Sequence, residues 1–383
     1  MLIVADENIP LLESFFGDIA DIRQLPGRSM SAADVKDADI LLVRSVTRVN
    51  QELLAGSRVR FVGTCTIGTD HIDQDWLKSA GIAFAAAPGC NANSVAEYVI
   101  SLISLRAEKL CIDDWTELSV GIVGAGNVGG KLARKLDRLG FDLVVCDPPR
   151  AVDEEDDDAF ADLEEALKCD VVTLHTPLVR DGEHPTYHLL GSSRLSEMNE
   201  NQLLINTSRG EVIDTAAMVQ RLSEPNAPSV ALDVWENEPR INSELAEQVW
   251  IGTPHVAGYS LEGKFQGSEM IYQALSRFMG LPVRKKAGQF LPEPALNKLS
   301  FTSAADEMEA ASVAIRCCCD PRRDDARFRR TLGLPADERG RAFDRLRREY
   351  PVRREFSSLK IQLKGTSKSA QDTFRALGFK LKL

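Results

Sequence analysis

Short apolar blocks alternate with polar stretches of helical spacing almost from the first residue. Leu2–Ala5, Ile40–Val43, Phe61–Thr64 and Ile82–Ala86 predict one series of strands. Val120–Val123, Leu143–Cys146, Val171–Leu174, Leu203–Asn206, Val230–Asp233 and Val249–Gly252 predict a second. Most are continuous apolar runs, the pattern of strands covered on both faces. Strand–helix alternation of this kind builds parallel α/β sheets. A helix near residues 93–108 separates the two series, so two sheets are expected. Asn127–Leu139 carries Val128, Leu132, Leu136 and Leu139 at helical spacing, with Gly140 as the stop. Ser260–Met279 reads as another long helix. Beyond it come the breakers Gly280-Leu281-Pro282 and Leu291-Pro292-Glu293-Pro294, and then an Arg-rich tail. The predicted fold class is α/β: two Rossmann-like, doubly wound lobes and a smaller C-terminal α/β domain.

The length of 383 residues suits two or three domains at about 150 residues each. The 57 acids outnumber the 46 Lys and Arg, which argues against nucleic acid as a partner. No apolar run approaches the roughly 20 residues of a membrane span. The first residues lack the basic stretch and long apolar core of a signal peptide, so the expectation is a cytoplasmic protein with no membrane partner. None of the eight cysteines forms Cys-x-x-Cys, and no metal site is expected. Most of them read as small buried hydrophobes, and Cys317-Cys318-Cys319 reads as part of a helix. The acidic run Asp153–Asp158 reads as a solvated loop.

Candidate chemistry begins at Gly124-Ala125-Gly126-Asn127-Val128-Gly129. This G-x-G-x-x-G follows a predicted strand and opens a predicted helix. Gly124 permits the tight turn, Gly126 the approach of a pyrophosphate, and Gly129 close helix–sheet packing. The free N–H groups at the helix start favour phosphates. Asp147 ends the next strand, where a carboxylate accepts ribose hydroxyls and repels a 2′-phosphate. The expected cofactor is therefore NAD. Arg150 is the nearby cation that would favour NADP instead.

Arg209, Glu238 and His255 follow the ends of later strands, where open α/β sheets bind ligands. Their chemistry is complementary. Histidine can take a hydroxyl proton while hydride leaves the adjacent carbon. A carboxylate such as Glu238 orients the ring, and an Arg clamps a substrate carboxylate.

On GAGNVG at 124, HTPL at 175, LLINTSRGEVID at 203, ALDVWENEP at 231 and TPHVAG at 253, the chain resembles the D-isomer-specific 2-hydroxyacid dehydrogenases. The resemblance puts the family's catalytic Arg, Glu and His on Arg209, Glu238 and His255. It implies a discontinuous substrate domain, residues 1–95 plus 258–284, around an NAD domain, residues 96–257. It also implies NAD contacts at Asp147, Thr176, Asp233 and Gly258, and substrate contacts at Ser45, Thr66 and Tyr259. Arg44 adds a cation suited to a phosphate or carboxylate. The segments Leu42–Thr47 and Gly63–His71, Tyr259 after Gly258, and the tail around Asp320–Asp325 and Tyr350–Phe356 are similar to one branch of the family. That likeness implies a four-carbon phosphorylated 2-hydroxy acid as substrate and a homodimer held by residues 285–383. The alternatives are a three-carbon phosphorylated or other D-2-hydroxy acid, and a nucleotide-sensing corepressor without turnover. Residues 316–354 hold 13 Arg and no Lys. Interleaved with acids and with Phe328, Leu332, Phe343, Leu346 and Tyr350, they read as amphipathic helices at a subunit contact.

Overall fold

A computed structural model describes residues 1–153 and 160–382. Most of the acidic run therefore lies outside the described residues. Three parallel sheets carry the fold. The first holds β1 (Leu2–Asp6), β2 (Asp21–Leu25), β3 (Ile40–Val43), β4 (Phe61–Thr64) and β5 (Ala83–Ala85) in the order β2-β1-β3-β4-β5. The second holds β6 (Val120–Val123), β7 (Leu143–Cys146), β8 (Val171–Leu174), β9 (Leu203–Asn206), β10 (Ser229–Leu232) and β11 (Ile251–Gly252) in the order β11-β10-β9-β8-β6-β7. Strand order reverses about β6, so the crevice between β6 and β8 is the switch point where such sheets take ligands. The third sheet is β12 (Lys298–Thr302), β13 (Lys360–Lys364) and β14 (Lys380–Lys382), with β13 in the middle.

The chain forms two compact units. One comprises 1–91 and 260–293, the other 92–259 and 294–383. The expected domains end at 95, 257 and 284, whereas the units end at 91, 259 and 293. The larger difference concerns the tail. Its Ile315, Phe356, Leu359 and Phe374 lie in one core with Val99, Ile103 and Leu132 of the nucleotide unit. Phe328, Leu332 and Phe343 share a second core with Leu204 and Leu232.

In the first unit, Ile3, Phe15, Phe16, Leu42 and Ile271 form a core between the sheet and the helix Leu261–Phe278. In the second, the helix Ala92–Leu110 is buried from Ser94 through Ala107. It has apolar or small residues on every face, as a helix enclosed on all sides requires. Among the described residues, no helix is long and apolar enough to cross a membrane.

Several expectations are corrected. The helix expected from Asn127 begins at Gly129. Val249 caps the helix Ser243–Gln248, so the strand expected from 249 shrinks to β11. Of the cysteines, Cys146, Cys169 and Cys319 are buried, but Cys111 and Cys317 are exposed. Cys317 and Cys318 end the helix Glu307–Cys318, and Cys319 caps it. A three-cysteine run at a helix end faces several directions, so one thiol reaches the core and another reaches solvent.

Candidate active site

The Gly-rich turn forms where β6 delivers it. Gly124 has φ +92°, and a Cβ there would lie 2.8 Å from the carbonyl carbon of His175, which follows β8. A Cβ on Gly129 would lie 1.9 Å from the Gly124 oxygen, so the helix Gly129–Leu139 can sit this close only with glycine. Gly126 faces open space and is exposed with Asn127, whereas Val128 packs against the core. The Asp147 carboxylate, just past β7, accepts the Ala125 N–H at 2.7 Å and the Arg150 N–H at 3.2 Å. Arg150 donates to the Ala125 carbonyl at 2.6 Å. Asp147 thus braces the turn, and the remaining lone pairs on its oxygens can accept ribose hydroxyls.

This chain of contacts continues along the carboxyl edge of the sheet. His175 bonds Thr173 at 3.0 Å through Nε2 and Thr207 at 3.1 Å through Nδ1. Its desolvation pushes its pKa down to about 3, so the ring is neutral and structural. The next residue, Thr176, has a buried Oγ1 with no hydrogen-bond partner among the described residues. An orphaned buried hydroxyl calls for a partner that arrives with a ligand. Together with the open approach at Gly126, it fits a bound dinucleotide.

Arg209 is presented by a turn that Asn206 ties. Asn206 accepts the Ser208 N–H and hydroxyl and donates to the Arg209 carbonyl at 2.9 Å. Gly210 then packs so closely on Trp235 that a Cβ would lie 1.9 Å from its carbonyl carbon. That contact joins the Arg209 turn to the loop bearing Glu238. Glu238 Oε1 accepts the Trp235 N–H at 3.0 Å, and Oε2 pairs with His255 Nδ1 at 2.8 Å. Burial acts to raise the Glu238 carboxyl. The charge and hydrogen bond of His255, the charge of Arg347 and the Trp235 N–H outweigh it, and its pKa lies below the ordinary value. An ionised Glu238 accepts Nδ1–H, which leaves Nε2 with the lone pair. The His255 side chain retains 35% exposure, so Nε2 has room for a ligand atom.

His255 stands at φ +57°, a conformation costly for a non-glycine residue. Asp233 holds it there. The Asp233 carbonyl accepts the His255 N–H at 2.7 Å. Its carboxylate accepts the Thr253 hydroxyl at 2.6 Å and the Val256 and Ala257 N–H groups at 2.7 and 2.9 Å. Burial raises the Asp233 pKa in spite of those bonds. The buried Tyr98 hydroxyl reaches Thr253 at 2.7 Å. Arg353, from the tail, donates to the Ala257 carbonyl and the Ser94 hydroxyl. No sequence motif marks Tyr98 or Arg353, since each lies more than 90 residues from the loop it supports. Gly258 and Tyr259 complete the loop, and Tyr259 packs edge-on against Tyr350 with ring centres 5.8 Å apart.

In the first unit, Arg44 and Ser45 follow β3 and Thr66 follows its neighbour β4. Arg44 Nε pairs with the buried Asp6 at 3.2 Å, and Ser45 is exposed. Thr66 Oγ1 shares a hydrogen bond with Thr64 at 2.8 Å. On the following loop, Asn91 Oδ1 is buried without a hydrogen-bond partner among the described residues.

Residues 94–257 match the model of the D-isomer specific 2-hydroxyacid dehydrogenase NAD binding domain, and residues 290–378 match a domain of unknown function. The chain is 67% identical over its full length, and that of the relative, to an erythronate-4-phosphate dehydrogenase of Marinobacter nauticus. It is 50% identical to the erythronate-4-phosphate dehydrogenase of Hahella chejuensis, over 100% of this chain and 99% of that one. The chain belongs to the erythronate-4-phosphate dehydrogenase family. Two solved structures share the fold at lower identity. An Entamoeba histolytica 3-phosphoglycerate dehydrogenase with bound NAD is 21% identical, with a TM-score of 0.60 over 76% of this chain and 99% of that one. A D-lactate dehydrogenase from Aquifex aeolicus is 23% identical, with a TM-score of 0.59 over 73% and 96%. These two likenesses establish the fold. The erythronate-4-phosphate dehydrogenase family assignment rests on the full-length relatives, whose match includes the tail.

Proposed function

We propose that this enzyme oxidises 4-phospho-D-erythronate to (R)-3-hydroxy-2-oxo-4-phosphooxybutanoate with NAD, a step of pyridoxal 5′-phosphate (vitamin B6) biosynthesis. The full-length identity to named relatives supports the substrate. The Glu238–His255 pair supports the chemistry. When bound, NAD supplies the hydride acceptor for the C2 hydrogen. His255 Nε2 takes the proton of the C2 hydroxyl, and Glu238 stabilises the imidazolium so formed. Arg209 clamps the C1 carboxylate and polarises the growing carbonyl. Arg44, Ser45, Thr66 and Tyr259 contact substrate; Gly124, Gly126, Asn127, Val128, Gly129, Asp147, Thr176, Asp233 and Gly258 line the NAD site. Residues 1–95 with 258–284, residues 96–257 and residues 285–383 act as substrate, NAD and dimerisation segments.

The test is NADH formation from 4-phospho-D-erythronate beside 3-phospho-D-glycerate. Preference for the four-carbon acid is expected. Preference for the three-carbon acid overturns the substrate, and no turnover of any 2-hydroxy acid favours a nucleotide-sensing scaffold.

The protein is further proposed to act in the cytoplasm as a homodimer. The family likeness of the tail supports the dimer, but the tail's apolar content does not. Ile315, Phe328, Leu332, Phe343, Phe356 and Leu359 are already buried within one chain. Light scattering should give twice the 42.2 kDa of a single chain; the mass of one chain refutes the dimer.

A further inference from the structure

We propose that Arg347, from the tail, is a substrate-binding residue that receives the phosphate of the phosphorylated acid beside Tyr259. The inference rests on the substrate reading above and adds to it a residue far from every family motif.

The helix Ala336–Arg348 packs through Phe343 and Leu346 into the core that holds Leu204 and Leu232. Arg347 stands four residues after Phe343, so it projects from the same packed face rather than with the exposed Arg345 and Arg348. Its guanidinium carbon lies 5.8 Å from the centre of the Tyr259 ring, and the side chain hydrogen-bonds Tyr259. Its charge also acts on Glu238, the partner of His255. Burial works against a charge at this point. The neighbouring Tyr259, Glu238 and Asp344 outweigh it and hold the guanidinium protonated.

The decisive detail is the Nε atom. It is buried and has no hydrogen-bond partner among the described residues. A desolvated donor on a cation is costly to leave unmet. Arg329, another arginine of the tail, shows the contrast: it pairs with Asp325 and donates to the Val249 carbonyl. Arg44, the cation the sequence offered for an anion, has its Nε on Asp6. Arg347 therefore brings an unmet donor and a positive charge next to Tyr259 and the Glu238–His255 pair. Those properties fit an anion with several acceptor oxygens, and a guanidinium takes a phosphate through two parallel N–H bonds. Arg209 is assigned to the carboxylate, so the phosphate is the anion that the unmet donor of Arg347 can receive.

The test is steady-state kinetics of Arg347→Met and Arg347→Lys with 4-phospho-D-erythronate and with unphosphorylated D-erythronate, alongside NAD binding by fluorescence. Loss of a charged hydrogen-bond partner corresponds to roughly a tenfold to hundredfold rise in KM for the phosphorylated acid. Arg347→Met is expected to show that rise, with a much smaller change for D-erythronate and with NAD still bound. Arg347→Lys should recover part of it. Equal losses on both acids, or a fall in kcat alone with a shifted pH profile, overturn the proposal and make Arg347 a positioning residue for Glu238. An unchanged KM overturns it outright. Should Arg347→Met fail to bind NAD, Arg347→Lys decides: a raised KM with intact NAD binding supports the proposal, and an unchanged one overturns it. A native enzyme that turns over no phosphorylated acid refutes the substrate reading instead, a result visible before any variant is made.

Discussion

His255 and Thr66 each follow the carboxyl end of a parallel strand, yet the chain treats them differently. The His255 loop is held by five hydrogen-bonding groups of its own unit: the Asp233 carbonyl and carboxylate, Tyr98 through Thr253, Glu238, and Arg353 from the tail. Thr66 has the Thr64 hydroxyl and a long contact to the Gly68 carbonyl, and Ser45 is exposed. A group that must move a proton requires a fixed ring and a fixed tautomer. A hydroxyl that only binds can settle around its ligand. Backbone strain at φ +57° persists where surrounding bonds over-determine it, and none is found at Thr66.

The largest effect should come from the proposed acid/base group. His255→Asn is expected to lower hydride transfer by about a hundredfold or more, with NAD binding retained in a fluorescence titration. Near-normal turnover would place the base elsewhere. The scaffold comes next. Asp233→Ala strips the acceptor from the Thr253 hydroxyl and the Val256 and Ala257 N–H groups. It should destabilise the fold by roughly 3 kcal/mol in a denaturant melt and lower kcat with it. A stable, active variant would mean the loop holds its shape unaided.

Glu238→Gln removes the anion paired with His255 Nδ1, which stabilises the imidazolium formed as the substrate proton moves. It should lower kcat for oxidation by roughly tenfold or more; an unchanged kcat would show that the pair is dispensable. The folded-state pKa of Glu238 is depressed, so its contribution to stability is present above the unfolded value and fades as pH falls. The acid side of the wild-type stability curve should therefore be steeper than the variant's.

On the looser side, Ser45→Ala and Thr66→Val should change KM a fewfold and leave stability within about 0.5 kcal/mol. A collapse of kcat there would erase the contrast with His255. Smallest of all, Asp147→Ala should raise the use of NADP relative to NAD, read from the ratio of kcat/KM values. A native preference for NADP would instead give Arg150 the deciding role.

The sequence was most readable where both faces of a strand are covered. Each of β6, β8 and β9 is fully buried and stands out as an apolar block. The edge strand β2, Asp21-Ile22-Arg23-Gln24-Leu25, has no such block; its register comes from β1 alone. Strands β12 and β13 were hidden by the reverse effect. Lys298, Lys360 and Lys364 alternate with apolar residues because one face is open, and in an Arg-rich tail they look like loop. The candidate site was legible at Gly124, Arg209, Glu238 and His255, each one to six residues past a strand end. Arg347 was not. Among 13 arginines in helices read as a subunit contact, only the packed face of its own helix distinguishes it.

The bond from Arg353 to the Ala257 carbonyl bears on heredity and on engineering. A premature stop before Arg353 leaves every motif from Gly124 to His255 in the reading frame, and a motif scan would score the gene as intact. Its product would nonetheless lose a support of the loop that carries His255. Late nonsense alleles should therefore behave as nulls. A chimaera that borrows another tail needs the 255–259 loop from the same donor, because the two segments are one unit of inheritance.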